Sequence, residues 1–140
     1  MQTKPLIIAD RDIPFLEGVL EPYAEVRYLK GSAITADDVR GAEVLITRTR
    51  TRCDRALLEG SRIRLIATAT IGFDHIDTDY CRSRGIRVTT AAGCNARGVL
   101  QYIMAVLCRL GAEPGWQPSE RTLGIVGVGH VGSLVEEYGR

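Results

Sequence analysis

Leu123-Gly124-Ile125-Val126-Gly127-Val128-Gly129-His130-Val131-Gly132 decides how the rest of the chain is read. A short apolar run, 123–126, enters a G-x-G-x-x-G loop, and a helical pattern follows to about Tyr138. Strand before and helix after is the setting that gives this motif its meaning as a dinucleotide-binding turn. Gly127 permits the tight turn, Gly129 lets backbone approach a pyrophosphate, and Gly132 lets the helix pack closely on the strand. The first helical turn, with His130 and Val131, then points free N–H groups and a partial positive charge at the anion. The same motif calls for an acidic residue about 20 positions on, to bind the ribose hydroxyls. The sequence ends at Arg140, so the expected nucleotide-binding half holds one strand and one helix and is truncated.

Working back from this loop, residues 111–119 carry Gly111, Pro114, Gly115 and Pro118 and read as a linker. Before it, Val99, Tyr102, Ile103, Val106 and Leu110 fall at helical spacing, which predicts a long helix over about 95–110. The first 90 residues alternate short apolar runs with helical stretches. Strands are expected at 6–9, 25–29, 44–47, 65–69 and 86–89. Helices are expected after Asp12, Thr35, Asp54 and Asp77, each a side chain suited to an N-cap. Near-continuous apolar strands alternating with helices predict a parallel sheet covered on both faces, an α/β doubly wound architecture of the flavodoxin-like type. No repeat of solenoid length is present.

Composition narrows the function classes. The chain is 45% apolar and 25% charged, with 18 basic against 17 acidic residues, so no charge excess points to nucleic acid or a membrane surface. No run approaches the ~18 apolar residues of a bilayer span. The N-terminus lacks the basic and long apolar regions of a secretory signal. Cys53, Cys81, Cys94 and Cys108 form no Cys-x-x-Cys pair, and His75 and His130 sit near no ligand cluster, so neither a metal site nor a disulfide scaffold is expected. Reduced cysteines fit a cytoplasmic protein.

Several segments together resemble the D-isomer-specific 2-hydroxyacid dehydrogenases. They are Ile7-Ile8-Ala9-Asp10-Arg11-Asp12-Ile13-Pro14, Thr47-Arg48-Thr49-Arg50-Thr51, Ala67-Thr68-Ala69-Thr70-Ile71-Gly72-Phe73-Asp74-His75-Ile76-Asp77, Gly93-Cys94-Asn95-Ala96 and the glycine loop, in the family's order. The Ala-Thr-x-Gly-x-Asp-His-Ile-Asp and Gly-Cys-Asn-Ala segments are the specific ones. Two positions depart from the family pattern. Ala92 stands where proline is usual before Gly-Cys-Asn-Ala, and Gln101 stands where glutamate is usual before the aromatic of the next helix.

The resemblance implies a substrate domain over 1–94, a crossover helix and linker over 95–118, and the start of an NAD-binding Rossmann domain over 119–140. It is strongest to members that oxidise 4-phospho-D-erythronate with NAD, in the cytoplasm, as homodimers. It implies that Thr49 and Thr70 contact the small phosphorylated hydroxy acid, and that Gly127, Gly129, His130, Val131 and Gly132 hold the cofactor. The flanking Arg48, Arg50 and Arg52 suit a substrate phosphate as well as a solvated loop. The catalytic arginine, glutamate and histidine of the family find no counterpart in these 140 residues. His75 is read as holding a turn together with Asp74 and Asp77, and Cys94 as a packing residue rather than a nucleophile. Two other readings stand beside this one: another dehydrogenase of the family, such as the phosphoglycerate type, and a non-enzymatic flavodoxin-like binding module.

Overall fold

The computed structural model describes residues 4–140 and divides the chain into two compact units, Met1–Ala91 and Ala92–Arg140. The first unit is built on five parallel strands: β1 (Leu6–Asp10), β2 (Glu25–Leu29), β3 (Val44–Thr47), β4 (Leu65–Thr68) and β5 (Arg87–Thr90). Their order is β2-β1-β3-β4-β5, the flavodoxin-like order, so the direction of winding reverses after β2.

Register explains the core. Ile8 pairs with Leu45, Leu45 with Ile66, and Ile66 with Val88, which sets one apolar row across four strands. Ile8, Leu45 and Ile66 are almost wholly buried beneath Val39 of α1 (Ala36–Val39), Leu57 and Leu58 of α2 (Arg55–Leu58), and Cys81 of α3 (Thr78–Ser83). A slip of one residue would turn that row to the other face, so burial fixes the register. Each fully buried aliphatic contributes about 1.5–3 kcal/mol.

The three short helices start where the capping residues stand. The Asp54 carboxylate accepts from the Leu57 N–H at 3.2 Å, and Asp77 accepts from the Tyr80 N–H at 2.9 Å. At α1, the Asp38 carboxylate accepts from both the N–H and the hydroxyl of Thr35, which holds the Asp38 pKa below its ordinary value. Gly60 and Gly85 follow α2 and α3 with positive φ, the conformation that ends a helix.

The helix expected after Asp12 does not form. Residues 11–24 run through turns, because the Asp10 carboxylate accepts the Asp12 N–H at 3.0 Å, Phe15 takes a φ of 61° and Gly18 one of 85°. Each of these diverts the backbone from the helical ladder. The segment is anchored instead by the Tyr28 hydroxyl, which donates to Glu21 at 2.8 Å.

In the second unit, α4 (Ala96–Gly111) and α5 (His130–Tyr138) are present as expected. The strand expected over 123–126 is not. Residues 121–128 carry no strand, and Val126 is fully exposed. A strand is defined by its ladder, and no other strand of the described residues lies within this unit to pair with it. Among the described residues no helix is long and apolar enough to cross a membrane.

Candidate functional site

Parallel strands bring their C-terminal ends to one edge, and polar residues gather there. Asp10 closes β1, Thr47 closes β3, Thr68 closes β4, and all three are buried, as is Thr51 in the loop after β3. In open α/β sheets ligands bind outside this edge, at the point where the strand order reverses, here between β1 and β3.

The loop after β3 crosses that point and is tied down on both sides. Arg48 donates to the Asp12 carbonyl at 3.0 Å, and the Thr51 hydroxyl donates to the Gly31 carbonyl at 2.9 Å. The Cys53 and Asp77 N–H groups bond the carbonyls of His75 and Cys53, joining this loop to the one after β4. Between the two fixed ends, Arg48, Thr49 and Arg50 are exposed. Thr49 lines an open pocket of about 420 Å³ with Arg52, His75 and the carboxylates Asp54, Asp74 and Asp77. Arg52 is held by Asp54 at 3.0 Å, so its charge is already partnered.

Thr70 lies two residues beyond Thr68, on the same side of the chain, and the two hydroxyls are 2.6 Å apart. Thr70 donates to the Gly72 carbonyl at 2.9 Å, and the His75 Nε2 lies 3.3 Å from the Thr68 hydroxyl. Burial holds the His75 pKa below the ordinary histidine value, with Asp74 opposing weakly, so the ring is neutral near pH 7. Thr49 and His75 therefore share one pocket, while Thr70 is joined to His75 through Thr68. The turn-holding role expected for this trio divides: Asp77 caps α3, whereas the His75 side chain serves the threonines.

Two features went unseen in the sequence. Thr68 links Thr70 to His75, and its signal was the Thr-Ala-Thr alternation that sets 68 and 70 on one face. The second is the packing of Asp10 against Gly31, where a Cβ would overlap the Asp10 carboxylate. Nothing in the local pattern around Gly31 announces that approach.

The glycine loop has the geometry that suits an anion. Gly127 takes a φ of 91°, and a Cβ at Gly132 would collide with the Gly127 carbonyl, so the turn closes only on glycine. Gly129 is the N-cap of α5 and offers no side chain to the helix N-terminus, and the space beside it is open. His130 begins the helix, with its ring against Gly93 at 3.1 Å from where a Cβ would stand, and Val131 is half-buried in the first turn. The residues present thus fit a pyrophosphate at Gly127, Gly129, His130, Val131 and Gly132. Among the described residues no three His, Cys, Asp or Glu side chains cluster as metal ligands.

The chain is 47% identical over 137 residues to erythronate-4-phosphate dehydrogenase of Porphyromonas gingivalis, covering 95% of this chain and 37% of that protein. It is 51% identical over 135 residues to erythronate-4-phosphate dehydrogenase of Bacteroides fragilis, covering 96% and 39%. It spans well under half the length of these curated relatives. Among solved structures, D-lactate dehydrogenase of Aquifex aeolicus complexed with NAD and lactic acid superposes with a TM-score of 0.71 at 25% identity, over 96% of this chain and 47% of that one. The NAD-bound 3-phosphoglycerate dehydrogenase of Entamoeba histolytica gives 0.70 at 26% identity, over 98% and 51%. Residues 5–105 match the family model described as D-isomer specific 2-hydroxyacid dehydrogenase, catalytic domain, and the chain belongs to that family.

Proposed function

We propose that these residues form the substrate-binding part, and the first turn of the cofactor-binding part, of an enzyme that oxidises 4-phospho-D-erythronate to its 2-oxo acid. The observation that carries the reading is the 47–51% identity, over nearly the whole chain, to proteins named erythronate-4-phosphate dehydrogenase. The phosphoglycerate alternative rests on 26% identity. The proposed enzyme is a cytoplasmic homodimer. In this reading residues 1–94 are the substrate domain, 95–118 the crossover, and 119–140 the start of the nucleotide domain.

When bound, NAD supplies the acceptor for the hydride of the substrate C2. Gly127, Gly129, His130, Val131 and Gly132 would hold its pyrophosphate, through backbone N–H groups and the helix dipole. Thr49 and Thr70 orient the hydroxy acid at the C-terminal edge of the sheet. Arg48 and Arg50 lie beside Thr49 and supply positive potential for the phosphate. None of the residues on this edge is assigned the proton transfer.

Calorimetric titration of the 140-residue chain tests the reading. It should bind 4-phospho-D-erythronate in preference to 3-phosphoglycerate and D-lactate, and Thr49→Val and Thr70→Val should each weaken that binding about 5–10-fold, the size of one neutral hydrogen bond. Equal binding of all three acids, or no effect of either substitution, would refute it.

A further inference from the structure

Hydroxyl groups carry one proton each, which limits how the contacts of the Thr70 network can be satisfied together. All three contacts of this network can be hydrogen bonds together in one arrangement only, in which the Thr70 proton goes to the Gly72 carbonyl at 2.9 Å, which can only accept. The 2.6 Å bond between the two threonines must then take its proton from Thr68. With that proton spent, the Thr68 hydroxyl can meet the His75 Nε2 at 3.3 Å only as an acceptor. The chain of donors therefore runs from the His75 Nε2–H to Thr68, to Thr70, and to the Gly72 carbonyl. Thr68 is buried, while the two ends of the chain, His75 and Thr70, are each half-buried, with His75 lining the pocket that holds Thr49.

We propose that His75 is a positioning residue that fixes the Thr70 hydroxyl as a hydrogen-bond acceptor, so that Thr70 selects a hydroxyl group of the ligand over a carboxylate or phosphate oxygen. This rests on the reading of Thr70 as a ligand-contacting residue. The physical reason is a count of lone pairs. Thr70 gives its proton to Gly72 and accepts one from Thr68, which leaves a single lone pair outward. An anionic oxygen offers no proton to that lone pair and would have to pull the Thr70 proton off the Gly72 carbonyl. A polyhydroxy acid has hydroxyl donors to offer and leaves the relay intact. The charged groups around the His75 ring are Arg52 and Asp54 from the loop after β3, and Asp74 and Asp77 from its own loop. Arg52 and Asp54 are paired with each other, Asp77 caps α3, and the exposed Asp74 makes no hydrogen bond to the ring among the described residues, so the hydrogen bond of Nε2 is the one to Thr68.

Two measurements on the 140-residue chain test this. Long-range proton–nitrogen NMR should find His75 protonated at Nε2, with its Hε2 signal protected from water exchange. That signal should vanish in Thr68→Val. Titration with 4-phospho-D-erythronate and its 2-deoxy and 3-deoxy analogues, followed by phosphorus NMR, should give the wild-type chain about a tenfold preference for the fully hydroxylated acid over one of the analogues. His75→Phe should lose that preference, and His75→Gln, whose amide N–H can donate in place of Nε2, should restore it. A His75 ring protonated at Nδ1, or an unchanged preference in His75→Phe, would overturn the proposal. A protected Hε2 signal in a chain that binds none of these acids would sink the substrate reading and leave the hydrogen-bond relay standing.

Discussion

Gly31 is where a single atom decides most. Its missing Cβ leaves the space that the Asp10 carboxylate fills, and its carbonyl accepts the Thr51 hydroxyl. Gly31→Ala should force that buried carboxylate aside and cost about 1–3 kcal/mol, read as a lowered urea midpoint. Gly41→Ala is the control, since nothing lies within 4 Å of its Cβ position, and it should leave the midpoint nearly unchanged. His75 makes a pH-dependent contribution of known sign. Its folded pKa lies below the ordinary 6.5 because burial disfavours the charged ring. As pH falls below about 6.5 the unfolded chain takes up a proton that the folded chain resists, so stability is full above that pH and declines through the folded pKa. His75→Gln should remove that part of the acid-side decline, measured as urea midpoints on either side of this window.

At the scale of elements, the short helices of the first unit depend on caps and burial, while the 16-residue α4 is long enough for propensity to add to its burial at Ala96 and Leu100. Helices of four to six residues are too short to persist alone, so Asp54 and Asp77 act by orienting segments that packing on the sheet then holds. In α4, Gly98 is exposed in the first turn with open space around its Cβ position. Gly98→Ala should therefore stabilise the helix by about 0.5–1 kcal/mol, visible as slower amide exchange along 96–111. Residues 122–128 take part in no backbone–backbone hydrogen bond among the described residues. That explains why an apolar run with good strand character lies uncommitted: propensity supplies no partner. The caps at Asp54 and Asp77 and the helix over about 95–110 were legible because their signals are local. The turns over 11–24 were not, since the capping aspartate competes there with Asp10, whose side chain bends the backbone first.

Across the whole molecule, the contrast between the two units governs thiol chemistry. Cys53 and Cys81 belong to the core of the first unit, and Cys94 and Cys108 are exposed in the second. Burial pushes the Cys53 thiol up to about 12, with Cys81 and Asp54 adding to the effect, and it raises Cys81 as well. A thiol is reactive as thiolate, so both should resist alkylation near neutral pH. Mass spectrometry after brief iodoacetamide treatment should find Cys94 and Cys108 modified, and Cys53 and Cys81 modified only after urea unfolds the first unit. Early labelling of Cys53 would mean that the sheet and its helices open far more readily than their packing allows.

The sequence by itself determined the parallel α/β sheet, because alternating apolar runs and capped helical stretches admit few other arrangements. It also placed Thr49 and Thr70 in loops after strands and identified the glycine loop, whose tight turn is written in residue type. Tertiary structure alone decided what those threonines touch. The relay proposed from His75 through Thr68 to Thr70 joins residues of one segment, yet it depends on a fold that buries Thr68 and brings the His75 ring and the Gly72 carbonyl to the two threonines. The same holds for Gly31 and Asp10, which adjacent strands bring together from 21 residues apart. It holds also for the run 123–126, where strand character without a neighbouring strand gives no ladder. Local sequence fixes conformations that local hydrogen bonds can satisfy; contacts and ladders that need a distant partner exist only once the chain has folded.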